Sequence, residues 1–276
     1  MTSSKELVNL EIDCMNSINW FKNNYMKLNT DKCKLIIAGQ KDHIVNINVG
    51  NSNIEESSEA NLLGVMVDRD LSFKSHLNTK IKKAKIAMIK RNQHFLTFQQ
   101  RKIVLSSFAH CHFNHAPLAW MFQSREINNK INRVQERALR ILYCDEQSSY
   151  GDLLKRDDGF TVHERNIQLL LTEMFKAKNN IEPHLLQDIF EASHYQGPTL
   201  RSSKYFLRPK INTVKYGERS LQYLGTRLWD QLPRNIQVLD NIKKFKIFIK
   251  DWRPQKCPCD VCKVYIRGVG YVNVSN

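Results

Sequence analysis

Apolar and polar positions along the chain change period several times, and each change marks an element. Over residues 5–24, Val8, Ile12 and Met15 recur at helical spacing with Leu10, Cys14 and Phe21 beside them, which predicts an amphipathic helix. KLIIAG and HIVNINVG then read as two strands joined by the turn QKDH. After the polar loop NSNIEESSE comes NLLGVMVD, a third strand with a glycine inside it. From Phe73 the period becomes helical. Leu77, Ile81, Ala84, Met88 and Phe95 form one stripe, and a second helix or helix pair covers 99–122. A third helix begins near Glu126 and turns Ile131, Val134, Ala138, Ile141 and Leu142 inward. HERNIQLLLTEMFKAK gives a fourth, with Ile167, Leu170, Leu171, Met174 and Phe175 inward. SHYQGPTLRSSKYFLRP is linker-like, with Gly197, Pro198 and Pro209. A short strand pair around FLRPKINTVKYG, the helix SLQYLGTRLWDQL ended by Pro233, and a last helix over 240–252 complete the pattern.

These elements predict an α+β chain in three parts. A segment of about three antiparallel strands with one helix covers 1–72, a mostly helical region 73–192, and a small mixed region 193–276. Three strands and one helix leave a sheet with an uncovered face, so the first part is expected to be incomplete by itself.

Composition sharpens this picture through charge. The hydrophobic fraction of 42% with 25% charged residues is that of a soluble globular chain. The net charge of +15 favours a polyanionic partner, nucleic acid before membrane. Its distribution is more informative, because residues 71–125 contain no Asp or Glu against ten Lys and Arg. Lys80, Lys82, Lys83, Lys85, Lys90 and Arg91 surround the first apolar stripe, and Lys130, Arg133, Arg137 and Arg140 repeat at spacings of three and four on the third helix. Both sets are candidates for phosphate contact, and both also suit a solvated helix flank.

The seven cysteines are an odd count with no regular framework, which points to a reducing compartment. MTSSKELVNLEID carries charges where a signal peptide needs an apolar core, so an intracellular protein is expected. The longest stretch free of Lys, Arg, Asp and Glu is IVLSSFAHCHFNHAPLAWMFQS. Its three histidines, Asn114 and Pro117 read as a buried helix broken near the proline rather than a membrane span.

Candidate chemistry is sparse. Two-metal catalysis needs converging carboxylates, and the chain's one Asp–Asp pair, Asp157–Asp158, lies in KRDDGF, a turn. Asp68 and Asp70 have no third acid nearby in sequence and read as turn carboxylates. There is no P-loop, dinucleotide fingerprint or nucleophile elbow. His110, Cys111, His112 and His115 in HCHFNH lie where i and i+2 point apart, so a metal is not expected there. In CPCDVC, Cys257, Cys259 and Cys262 supply three thiols, but a structural zinc wants four ligands and no fourth lies near in sequence. Reduced cysteines in a loose tail are the expectation, with zinc requiring a donor from elsewhere in the fold or another chain.

Five stretches together carry a resemblance. WFKNNYMKLNTDKCKLIIAG, ANLLGVMVDRDLSFKSHL, NKINRVQERALRILY, VKYGERSLQYLGTRLWDQLP and CPCDVCKVYIRGVGY occur in this order over residues 10–273. They resemble the C-terminal part of reverse transcriptases of non-LTR (LINE-type, jockey-like) retrotransposons. The resemblance implies that 1–72 is the end of a polymerase palm, 73–192 a thumb-like region and 193–276 a C-terminal region with a cysteine-containing tail. Lys32 would be the accessory general acid that helps protonate the leaving pyrophosphate. NLLGVMVD would be the primer grip, with Leu63 and Gly64 at its turn, and the acid-free helices would grip an RNA, RNA–DNA or DNA template–primer. The family's aromatic-x-Asp-Asp motif does not occur in the chain. Mg²⁺, the cofactor of the intact family enzyme, is therefore not expected here, and the chain should not polymerise. A stand-alone nucleic-acid-binding or interaction module is the alternative, and a remnant that does not fold stably is a third.

Overall fold

The computed structural model describes residues 4–38, 46–50, 52–84, 86–157, 159–181, 188–192, 205–266 and 270–273. It is an α+β chain dominated by helices, with three two-stranded antiparallel sheets among the described residues. Two compact units divide it, Met1–Leu77 and Asn78–Asn276. Among the described residues, no helix is long and apolar enough to cross a membrane.

The first unit holds α1 (Ser4–Asn23) and the strands β1 (Asn46–Val49), β2 (Ser52–Glu55), β3 (Glu59–Leu62) and β4 (Val65–Asp68). α1 forms where the periodicity places it, but it buries a different face. Ile18 enters a small core with Leu35, Ile47, Val49 and Ile54, and Leu7 and Cys14 pack against it. Val8, Ile12 and Met15 are exposed. Glu11, on the buried side, accepts the Asn48 N–H at 2.9 Å, so one carboxylate helps decide which face turns in.

The strands pair differently from the sequence expectation. KLIIAG contributes one parallel bridge, Leu35 with Glu56, rather than a strand, while its end and the turn QKDH lie outside the described residues. β1 pairs instead with β2, inside the stretch read as a polar loop. Gly50 at φ 64 has the left-handed backbone that a tight hairpin turn requires. NLLGVMVD is likewise a hairpin, not one strand. β3 and β4 pair from Glu59–Asp68 to Leu62–Val65, and Leu63 and Gly64 take φ 48 and 83 at the turn. Asn61 accepts the Gly64 N–H at 2.9 Å and holds this turn. The expected sheet of three strands is thus two separate hairpins.

The turn after β4 is built by one acid. Leu71 and Phe73 both adopt positive φ, costly for side chains of this size. The Asp68 carboxylate accepts the N–H groups of Ser72 and Phe73 at 2.9 and 2.6 Å, which holds that backbone. α2 (Lys74–Lys83) follows and crosses the division between the units.

The second unit continues with α3 (Ile86–Asn92), α4 (Phe98–Phe108), α5 (Pro117–Trp120), α6 (Arg125–Tyr143), α7 (Tyr150–Arg156) and α8 (Val162–Lys178). After the next described segments come α9 (Leu221–Trp229), α10 (Arg234–Gln237), α11 (Ile242–Asp251) and the pair β5 (Lys263–Ile266) and β6 (Gly270–Asn273). The stripe expected from Leu77 to Phe95 is interrupted between α2 and α3, and Phe95 is 86% exposed beyond it. The break in 99–122 falls at Ala109, ahead of Pro117, which instead opens α5. No strand pair forms over 205–217. Val214–Glu218 is a π-helical turn, and Phe206 bridges Ala192.

α8 lies at the centre of this unit. Leu170, Leu171, Met174 and Phe175 are fully buried, and α5, α6, α9 and α11 pack around them. Phe175 stacks on Phe245 of α11 at 4.2 Å, and Trp229 lies parallel to Phe245 at 6.0 Å. α9 approaches closely because Gly225 has no side chain. A Cβ there would stand 2.9 Å from the Phe190 ring and 3.3 Å from the Met174 sulfur.

Removing the Phe245 ring should leave a cavity, and we expect Phe245→Ala to cost about 3–5 kcal/mol in chemical denaturation. Gly225→Ala should also destabilise, although alanine is the better helix former by about 1 kcal/mol. A neutral or raised denaturation midpoint would show that Phe190 gives way freely.

Candidate metal centre and basic helix faces

The first turn of α8 is fixed before it receives any partner from the tail. Thr161 caps the helix by accepting the Glu164 N–H at 3.2 Å, and the Glu164 carboxylate accepts the Thr161 N–H at 2.7 Å. Gln135, buried on α6, braces both flanks of this cap. Its amide donates to the Phe160 carbonyl at 2.9 Å and accepts the Val162 N–H at 3.0 Å. His163 therefore projects from a rigid turn, on the same face as Ile167, Leu170 and Met174, and is 3% exposed.

The segment after α11 is brought to this turn by hydrogen bonds from side chains to its backbone. Gln168 donates to the carbonyls of Lys250 and Trp252 at 3.0 and 3.3 Å, and Gln231 to that of Lys256 at 2.9 Å. Arg125 and Asn128, on the first two turns of α6, donate to the Asp260 and Val261 carbonyls, both at 3.2 Å. Arg253 donates to the Gly159 carbonyl and lies 4.3 Å above the Phe160 ring. The tail expected to be loose is packed: Cys257 and Cys259 are buried in the main core and Cys262 is half-buried against it.

Four ligand-capable atoms meet as a result. Cys259 Sγ lies 3.0 Å from Cys257 Sγ, 3.3 Å from Cys262 Sγ and 3.3 Å from His163 Nε2, and Cys257 Sγ lies 4.0 Å from His163 Nε2. All four atoms fall within 4.8 Å of one another, and among the described residues no other His, Cys, Asp or Glu group converges in this way. The sulfurs are free thiols, well beyond the S–S bond length of about 2.0 Å. Phe122 closes one side with its ring edge against the imidazole, centroids 5.9 Å apart.

The cluster concentrates charge by itself. Hydrogen bonds from Cys257 and Cys262 hold the Cys259 thiol well below its usual range, against the opposing effect of burial. The hydrogen bond with Cys259, followed by burial, pushes Cys257 up, and hydrogen bonds with Cys257 and then Cys259 push Cys262 up. Burial disfavours a charged His163, but the Cys259 thiolate and the hydrogen bonds to both cysteines outweigh this and lift it to about 10.

His163 was not singled out in the sequence, because it precedes CPCDVC by 94 residues. Its register with Ile167, Leu170 and Met174 was the signal that it faces inward.

The other candidates are dispersed. Lys32 ends an exposed 3₁₀ turn over Thr30–Lys32, next to Asp31, whose N–H is accepted by Asn29. Leu63, 90% exposed, stands at the tip of the β3–β4 hairpin with Gly64. Lys85 and Asp158 lie outside the described residues. Asp157 pairs with Arg165 at 3.4 Å. Burial lowers the pKa of His110, and burial followed by the nearby Lys80 charge lowers that of His112. Among the basic residues, Lys90 pairs with Glu146 at 2.9 Å, Lys130 with Glu126 at 2.7 Å and Arg140 with Glu136 at 2.8 Å. Lys80 is half-buried, whereas Lys82, Lys83, Arg91, Arg133 and Arg137 are exposed. α11 adds exposed Lys243, Lys244, Lys246 and Lys250, a basic face not singled out in the sequence.

No protein-family model, characterised protein or solved structure matches the chain.

Thiol accessibility follows from this arrangement. Exposed Cys111 and Cys144 should react with a thiol reagent in the native protein, while Cys257 and Cys259 wait for unfolding or local opening. Asn128→Ala, which frees the Val261 carbonyl, should speed labelling of Cys259. Peptide mapping of the labelled cysteines reads both outcomes.

Proposed function

We propose that the chain is the template–primer-binding part of a reverse-transcriptase-like polymerase of the non-LTR retrotransposon type, and that it binds nucleic acid without polymerising. The observation that carries this reading is the exposed cationic set Lys82, Lys83, Arg91, Arg133 and Arg137. Among the described residues, none of the five holds an ion pair, unlike Lys90, Lys130 and Arg140. An exposed, uncompensated cation contacts a phosphate at low desolvation cost and gains through counterion release. Four of these five residues lie on α2 and α6, and the fifth on α3, which packs against α6.

The ordered sequence stretches support the more specific part of the proposal. In it, the β3–β4 hairpin, with Leu63 and Gly64 at its tip, is the primer grip, and Lys32 is an accessory cation at the palm end. Polymerisation requires metal-holding aspartates. The chain's one Asp–Asp pair includes Asp157, which closes α7 and binds Arg165, so synthesis by these residues is not part of the reading.

Binding should fall steeply with salt, each lost phosphate contact removing about 0.7–0.9 from the log–log slope. Arg133→Ala with Arg137→Ala should flatten that slope by about 1.5, with the thermal midpoint unchanged. Fluorescence anisotropy with a labelled RNA–DNA duplex measures it, and a salt-independent signal or no binding at low salt refutes the proposal. Primer extension with Mg²⁺ should yield no product above background, and template-dependent synthesis would refute the non-polymerising part alone.

A further inference from the structure

We propose that His163, Cys257, Cys259 and Cys262 bind one zinc ion, as a structural site that fastens the segment after α11 to the first turn of α8. The site stands independently of the nucleic-acid reading, since none of the cationic residues above is a ligand.

The metric fits. A tetrahedral zinc with Zn–S of about 2.3 Å and Zn–N of about 2.05 Å places its sulfurs about 3.8 Å apart and each sulfur about 3.5 Å from the nitrogen. The S···N separations of 3.3 and 4.0 Å straddle their value, the S···S separations of 3.0 and 3.3 Å fall short of theirs, and all four atoms lie within 4.8 Å of one another, so a sub-ångström outward shift of the sulfurs admits the ion. The donor set fits as well. Three thiolates and one imidazole favour zinc over the hard cations Mg²⁺ and Ca²⁺, which take oxygen ligands.

Alternatives leave something unsatisfied. One disulfide would consume two sulfurs and strand the third beside a buried imidazole. Thiols without an ion have only weak hydrogen bonds with one another and with the imidazole, whereas zinc gives each of the four atoms a coordinate bond. With zinc bound, three protons leave the cluster for solvent, all three cysteines are thiolates, His163 binds as neutral imidazole through Nε2, and the complex carries one net negative charge. Four protein atoms then fill the coordination sphere. No position is open for water or substrate, so the site braces structure rather than performing hydrolysis.

The scaffold is already in place for such a site. The Thr161–Glu164 cap and Gln135 fix the turn that carries His163, and Arg125 and Asn128 hold the backbone between Cys259 and Cys262. A loop contributes three ligands at the spacing Cys-x-Cys-x-x-Cys, and a helix contributes the fourth.

The test uses the full chain, expressed without a histidine tag and purified without chelator. Elemental analysis should find about one zinc per chain. Cobalt exchanged into the site should show the intense visible bands of a tetrahedral ion and a sulfur-to-metal charge-transfer band. Titrating the thiols with a mercurial should release zinc to a chromogenic chelator. His163→Ala and Cys259→Ser should lose the metal, while His163→Cys, which keeps four ligands, should retain it. Cys111→Ser with Cys144→Ser should change nothing. Should His163→Ala fail to fold, the cobalt spectra of the wild type and of His163→Cys still decide. A folded protein that contains no zinc and takes up no cobalt overturns the proposal. So does a cobalt spectrum without thiolate charge transfer, or zinc retained when Cys257, Cys259 and Cys262 are all serine.

Discussion

The second unit depends on a helix that has almost no free side. α8 buries Leu170, Leu171, Met174 and Phe175 completely, and four other helices exist as a packed assembly because each has a face to set against it. A helix surrounded in this way cannot leave its first turn to water, so the unpaired N–H groups there need partners within the protein. Thr161, Glu164 and Gln135 supply them. The same turn presents His163 to the cysteine loop, and a requirement of backbone hydrogen bonding thereby sets the geometry of a chemical site.

Much of this helical unit was legible because burial on one face leaves a period in the sequence. Ile131, Val134, Ala138, Ile141 and Leu142 on α6, and Ile167, Leu170, Leu171, Met174 and Phe175 on α8, are buried as their spacing requires. The first unit was less legible. Its strands are four residues long, too short for alternation to fix a register, and turn backbone at Gly50 and Leu63–Gly64 decided the pairings instead. On α1 the face that turned inward carries Leu7, Cys14 and Ile18 rather than Val8, Ile12 and Met15, and a polar contact from Glu11 accompanies it. The cluster of His163 with the three cysteines was half legible. CPCDVC was visible as three ligands, while the fourth depended on a tertiary approach that no local pattern encodes.

The basic residues teach a related lesson about charge counted along a sequence. The acid-free window of 71–125 is free of acids only locally. Arg101 donates to the carbonyls of Gln93, Leu96 and Leu142 and so knits α4 to the end of α6. Arg125 holds the Asp260 carbonyl, and Lys90 finds Glu146 from beyond the window. Part of the excess charge is therefore structural mortar, and the part facing solvent is smaller and more localised than the count suggests.

Zinc at the proposed site would also change the connectivity of the molecule by joining His163 to Cys257. Seen along the backbone, it closes a ring of about 94 residues, whose extended contour would reach roughly 300 Å. α9, α10 and α11 lie inside that ring, and β5 and β6 lie beyond it. Tension applied to the two ends of the chain would be carried across the junction while the ring stayed slack. A single cut within the ring would open it without parting the two halves while the junction held. With the proposed zinc bound, the four side chains would act as a mechanical shunt, deciding which segments bear load and which are sheltered from it.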